Sequence, residues 1–218
     1  MGDKSIRKKQ YIIEKAREVF IEKGFLTVTM KDIVEACEIS RGGLYLYFPD
    51  TETLFLEVLR KEREEGNSEE LEKADTAVEM LSLFLREQKK EVLQNEKSLI
   101  VPLYEYYFYL RQKQHAAAKE QTQAQAIAAA DREGKEPAAK PEELTEKERF
   151  EMSVKVLEKL IIGGMREGYL ACDDPGEEAK NIMFAMEGLK ICAVTIGLSE
   201  EEVTGQINYL YSHLFIRD

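Results

Sequence analysis

Apolar positions recur along this chain at helical spacing almost from end to end. Ile6, Ile12, Ile13, Ala16, Val19 and Phe20 fall close to a 3.6-residue period, which predicts a first amphipathic helix over residues 5–23. Gly24 follows at once, as suits a helix C-terminus. Ile33, Val34 and Cys37 form the inner face of a short second helix that Thr29 can cap, with Asp32 at the capping-box position. Ser40 can cap a third helix, Pro49 suits its end, and Asp50 can open a fourth helix through Arg63. Longer helices are expected over residues 69–94 (Leu71, Val78, Leu81, Leu85, Val92), over 96–115 with Pro102 and the run LYEYYFYL, and over 142–167, stopping near Gly168. Another is expected over 176–196, ending at Gly197, and a last one from its Ser199 cap, with Glu202 at the box position, through Phe215. No alternating run is flanked by Asn-Gly or Asp-Gly. The pattern predicts an all-α protein of about nine helices.

One stretch breaks this rhythm. Residues 116–141 are low in complexity: Ala, Gln and Lys favour helix there, but almost nothing large and apolar is present to bury. Residues 134–141, from a glycine to a proline, then interrupt the pattern. A poorly packed helical extension followed by a mobile loop is expected.

Composition narrows the class. The chain has 218 residues, 44% hydrophobic and 33% charged, with no Trp and 5 Pro, as in a globular protein of one or two domains. No run approaches the roughly 18 apolar residues of a membrane span. The start, MGDKSIRKKQ, lacks the apolar stretch of a secretory signal. Cys37, Cys172 and Cys192 are odd in number and far apart, which argues against a disulfide framework or a Cys-based zinc site. A cytoplasmic location with reduced thiols is expected, and neither metal nor cofactor.

Net charge is −11, at first sight unfavourable for a nucleic-acid partner. The charge is unevenly spread. Residues 1–50 hold 9 basic and 8 acidic residues, hence +1; the remainder holds 31 − 9 = 22 and 42 − 8 = 34, hence −12. Arg7, Lys8 and Lys9 cluster near the start of the first helix, where they can meet phosphates or form a solvated face.

Residues 29–54, TMKDIVEACEISRGGLYLYFPDTETL, have the layout of a helix-turn-helix, whose second helix is free to enter the DNA major groove. Ile33, Ile39, Leu44 and Phe48 should close a small core with Ala16 and Phe20. Thr29 and Ser40 cap the two helices, at about 1 kcal/mol each. With Thr29, Asp32-Ile33, Ser40, Gly42, Leu44, Tyr45 and Phe48 at their fixed offsets, the segment resembles the DNA-binding domain of TetR-family transcriptional regulators. The likeness covers about 50 residues; beyond them only length, helical layout and paired final helices agree.

The resemblance implies a DNA-binding set of Thr29, Lys31, Ser40, Arg41, Gly42, Gly43, Tyr45, Tyr47 and Thr51. Arg41 opens the recognition helix, where its fork can grip a guanine edge or a phosphate. Tyr45 either touches DNA or packs inward. Four positions depart from the family pattern: Glu38 stands in a turn that usually holds Gly, Gly43 replaces Thr, Tyr47 replaces His, and Thr51 replaces Lys between Asp50 and Glu52. A left-handed Glu38 would cost on the order of 1–2 kcal/mol. Two glycines in one short helix cost roughly 1 kcal/mol each, which close approach to the DNA backbone can offset.

The same resemblance divides the chain into a helix-turn-helix domain, residues 1–50, and a helical ligand-binding and dimerisation domain, residues 51–218, joined by a linking helix over 50–63. Tyr104, Tyr106, Tyr107, Phe108 and Tyr109 cannot all share one helix face, so several must be enclosed. Phe84, Tyr104, Tyr107, Phe108, Phe150 and Met152 are the candidates for a ligand pocket; an ordinary aromatic core is the alternative. Met183, Met186, Gly188, Leu189, Ile207, Leu210 and Leu214 are the candidates for a four-helix homodimer interface, with intrachain core as the alternative. The expected function is a repressor that leaves a palindromic double-stranded DNA operator when a small apolar or aromatic effector binds. A DNA-binding adaptor controlled by a protein partner is the second reading. An enzyme is not expected: His115 and His213 belong to no recognisable constellation, and no phosphate loop, HExxH or nucleophile elbow occurs.

Overall fold

The computed structural model describes residues 2–66, 74–128 and 146–216. Among these residues nine α-helices form, with no strand beyond one isolated bridge. They are α1 (Asp3–Lys23), α2 (Met30–Cys37), α3 (Arg41–Tyr45), α4 (Thr51–Gly66), α5 (Ala77–Leu93), α6 (Ile100–Ala128), α7 (Glu146–Arg166), α8 (Pro175–Thr195) and α9 (Glu200–Ser212). Leu71 and the loop expected over 134–141 lie outside the described residues.

Caps set most of the boundaries. Thr29, Thr76 and Ser199 each close a reciprocal box, with Asp32, Glu79 and Glu202 respectively. The Thr76 box starts α5 at Ala77, later than apolar spacing alone predicts. A 3₁₀ turn, Asn95–Lys97, similarly delays α6 to Ile100, which leaves Pro102 in the first turn, where no N–H is needed. The last helix ends at Ser212, short of Phe215, because the chain turns onto the α7–α8 connection. Ala171 donates its N–H to the Leu214 carbonyl at 2.8 Å, and Ile216 donates to Tyr169 at 3.2 Å.

Two apolar cores result. The first unites Ile12, Ala16 and Phe20 of α1, Ile33 of α2, Leu44 and Phe48, and Leu54, Phe55 and Val58 of α4. It also takes Leu99 and Tyr106, so it does not stop at residue 50. The second joins α5, α7, α8 and α9 through Leu81, Leu85, Leu157, Ile161, Ile182, Met186, Val203 and Leu214. Gly163 lets α5 and α7 meet closely: a Cβ there would lie 2.5 Å from that of Ala77.

Helix α6 packs into the first core and reaches α8 by a polar contact. Tyr106 is buried among Phe25 and Phe55, at ring-centroid distances of 4.9 and 5.4 Å. Tyr104, on another face, donates its hydroxyl to Glu187 of α8 at 2.6 Å.

Candidate nucleic-acid interface

The helix-turn-helix is built from the core outward. Ile33 and Cys37 of α2 and Leu44 and Phe48 around α3 are buried, which fixes the angle between the two helices. Glu38 makes the turn in the left-handed conformation, at φ 52° and ψ 39°. Its N–H donates to Glu35 and that of Ile39 to Val34, so the end of α2 is closed by a Schellman-type pair without glycine. At the other end, Asp32 accepts from the Thr29 N–H at 2.8 Å and pairs with Lys23 of α1 at 2.6 Å. The bond from Lys23, followed by those from Thr29, holds the Asp32 carboxyl well below the ordinary carboxylate range.

Helix α3 is short. Ser40 caps it by accepting the Gly43 N–H at 3.1 Å, and the chain continues for one turn through Leu46 to Phe48. Its outer surface carries Arg41, Gly42 and Tyr45, all exposed. The Arg41 guanidinium sits 5.6 Å from the centre of the Tyr45 ring, a cation–π arrangement that holds both side chains on one flank. Tyr45 therefore faces outward and does not pack into the core. With Met30, Lys31 and Val34 of α2 this pair lines a shallow groove of about 330 Å³. Lys31 is exposed and only loosely paired, at 3.6 Å from Glu35.

The basic cluster at the start of α1 divides. The Lys8 ammonium lies 3.6 Å from where a Gly43 Cβ would stand, so it overhangs the recognition helix. Lys9 instead pairs with Glu57 of α4 at 2.7 Å, and Arg7 pairs with Asp3 at 2.8 Å. Tyr47 is half-buried and accepts from Ser5 at 3.4 Å. Thr51 is half-buried beside Asp50, which caps α4 through the Thr53 N–H at 2.7 Å. A Cβ at Gly42 would meet nothing within 4 Å.

The chain matches the model of the bacterial regulatory proteins of the tetR family over residues 12–58, the span of this core. Residues 12–58 are thus similar to the N-terminal domain of that family. It is 45% identical over 73 residues to the uncharacterized HTH-type transcriptional regulator YfiR of Bacillus subtilis, covering 34% of each chain. It is 39% identical over 61 residues to the HTH-type transcriptional repressor AcnR of Corynebacterium efficiens, covering 28% of this chain and 32% of that one. The chain thus spans about a third of the length of these curated relatives. Over the whole fold it is similar to the crystal structure of a TetR transcription regulator from Haloarcula marismortui, with a TM-score of 0.66 at 17% identity over 95% of this chain and 96% of that one. Both curated relatives are HTH-type transcriptional regulators by name.

The six pocket candidates do not converge. Tyr104 and Tyr107 meet edge to face at 6.1 Å, and Phe150 packs on Phe184 at 5.0 Å. Phe84 lies against the second core, whereas Phe108 is 61% and Met152 52% exposed. Burial, and then the bond to Glu187, push the Tyr104 hydroxyl far above its ordinary pKa. Lys190 neutralises that corner, at 3.2 Å from Glu91 and 3.5 Å from Glu187.

The interface candidates divide as well. Met183, Met186, Ile207 and Leu214 are consumed by the subunit's own core, with 0–7% exposure, so they have almost no surface to offer a second copy. Leu189 and Leu210 are half-buried against the same core, and Gly188 is open. The apolar side chains that α8 and α9 do expose are Phe184, Ile191 and Tyr209, which apolar periodicity did not single out. Leu46 was missed in the same way: it stands between two tyrosines, off the Leu44–Phe48 face. Among the described residues no cluster of His, Cys, Asp or Glu could hold a metal ion, and no helix is long and apolar enough to cross a membrane.

Proposed function

We propose that the chain is a DNA-binding transcriptional regulator, acting as a homodimer that represses from a palindromic operator and is released by a small apolar or aromatic ligand. The observation that carries this reading is the exposed surface of α2 and α3. Lys31, Arg41, Gly42 and Tyr45 stand clear of a closed core, with Lys8 overhanging Gly43. Arg41 reads a base edge; Thr29, Lys31, Ser40, Gly43, Tyr45, Tyr47 and Thr51 serve mainly to position the sugar-phosphate backbone. Most of the acidic excess lies beyond residue 50, so it does not oppose the approach.

The domain beyond residue 51 supplies association and control. Phe184, Ile191 and Tyr209 give α8 and α9 an exposed apolar face, and the open Gly188 admits a second helix closely. A two-fold pair of recognition helices meets half-sites about one helical turn apart. Release works through differential affinity: a ligand that favours a conformer with displaced recognition helices weakens DNA binding by that difference alone. Helix α6 is the connecting part, since Tyr104 faces α8 while Tyr106 is seated in the DNA-binding core. The repressor AcnR among the relatives supports the sign of regulation.

The test is enrichment from random duplex DNA by the purified full chain at moderate salt. A palindrome bound by a dimer is the expected product. Failure to enrich any sequence would remove the reading.

A further inference from the structure

Leu46 ends the recognition helix and is 84% exposed, more than any other large apolar side chain among the described residues. Its neighbours Leu44 and Phe48 turn inward and are buried, so Leu46 contributes nothing to the core. It donates its N–H to the Gly42 carbonyl at 3.3 Å, which places the two residues one turn apart on a single face. Gly42 leaves that face bare, since a Cβ there would meet nothing within 4 Å. The result is a strip of uncovered backbone ending in an isobutyl group, directly beside the Arg41–Tyr45 pair. Arg41 and Tyr45, the sequence neighbours of Gly42 and Leu46, line the groove together with Lys31.

On the reading that this face enters the major groove, we propose that Leu46 is a specificity-determining residue that packs on a thymine C5-methyl group in each half-site. Base edges in the major groove present donors and acceptors, and thymine alone adds a methyl group. A leucine side chain can satisfy none of the polar groups. Pressed against a guanine O6 or an adenine N6 it leaves them unpaired, which costs affinity. It therefore favours thymine twice over, by attraction to the methyl and by exclusion of the polar edges. The absence of a side chain at Gly42 allows the base to come close enough for that contact.

The experiment starts from the site that the full chain enriches from random DNA. Each thymine of the half-site is replaced in turn, in both half-sites, by deoxyuridine, which removes only the methyl group. Wild type, Leu46→Ala and Leu46→Met are titrated on every duplex. At one position wild type is expected to lose roughly fourfold per half-site, the factor for one buried methyl-sized group. Leu46→Ala should bind the thymine and deoxyuridine duplexes alike, and Leu46→Met should keep the preference. No enriched site at all overturns the DNA-binding reading itself. An enriched site indifferent to deoxyuridine everywhere, or an undiminished preference in Leu46→Ala, overturns the Leu46 assignment alone. Altered subunit association in Leu46→Ala, with the thymine preference intact, also overturns it, in favour of contact between copies.

Discussion

The Glu105 carboxylate of α6 accepts the backbone N–H of Leu26 at 3.1 Å, across 79 positions of sequence. It lies over Gly24, where an added Cβ would come within 2.5 Å of a carboxylate oxygen. Gly24 also has φ 77°, a conformation glycine adopts freely. The loop that leads into the helix-turn-helix is thus seated on a side chain of α6. Tyr109 and Lys113, further along α6, hold Glu52 of α4 at 3.3 and 2.9 Å.

Removing that seat should loosen the loop without unfolding the core. Glu105→Ala is expected to cost about 1 kcal/mol, the net value of one hydrogen bond. Its signature is faster amide exchange at Leu26, while Phe20 and Phe55 keep their protection. Glu105→Gln retains an acceptor and should restore Leu26. Equal exchange at Leu26 in all three proteins would show that the carboxylate does not hold the loop.

The Asp32 carboxyl offers a pH-dependent counterpart. Its folded pKa is depressed by Lys23 and Thr29. The stability it contributes is therefore present above the unfolded value, about 4, and is lost as pH falls further, through the folded pKa. Asp32→Ala should cost roughly 1 kcal/mol at neutral pH, the size of a helix cap. The gap between variant and wild type should narrow in acid denaturation series below about pH 4. Parallel stability curves down to the lowest pH would contradict the role of the charged carboxylate.

What could be read from sequence follows the range of each signal. Thr29, Ser40 and Ser199 were legible because a cap and its partner lie three residues apart, within one turn. The Ile33–Leu44–Phe48 core was legible for a related reason: its pattern is dense over a short span. Tyr106 was not, because Phe25 and Phe55 lie 81 and 51 positions away and no local spacing announces them. The aromatic run reads locally as a pocket candidate, whereas Tyr106 packs into the core shared with α1 and α4. Periodicity on α8 identified an apolar helix but not which side the subunit keeps for itself. Met186 went inward, and Phe184, two positions earlier, went outward.

That distinction gives a test of the proposed homodimer. Phe184→Glu or Ile191→Glu should lower the mass seen in sedimentation towards that of one chain and leave the thermal transition of the subunit in place. Met186→Glu should instead abolish cooperative unfolding, because it buries a charge in a fully enclosed site. A full dimer in both surface variants would exclude this face as the interface.

Arg41 and Lys8 should separate on DNA. Arg41 stands at the start of α3, held on its flank by Tyr45, where a base edge is within reach. Arg41→Ala is expected to lose 1–3 kcal/mol, about 5- to 150-fold, and to relax selection at one base pair of each half-site. Lys8 overhangs Gly43 from α1 and suits a phosphate. Lys8→Ala should weaken all duplexes by a similar factor and lower the salt slope by about 1 per half-site. Binding by both variants would be measured on the enriched operator and on scrambled DNA over a range of salt. Equal loss on both duplexes for Arg41→Ala would make it a phosphate contact, and base reading would then rest on Tyr45 and its neighbours.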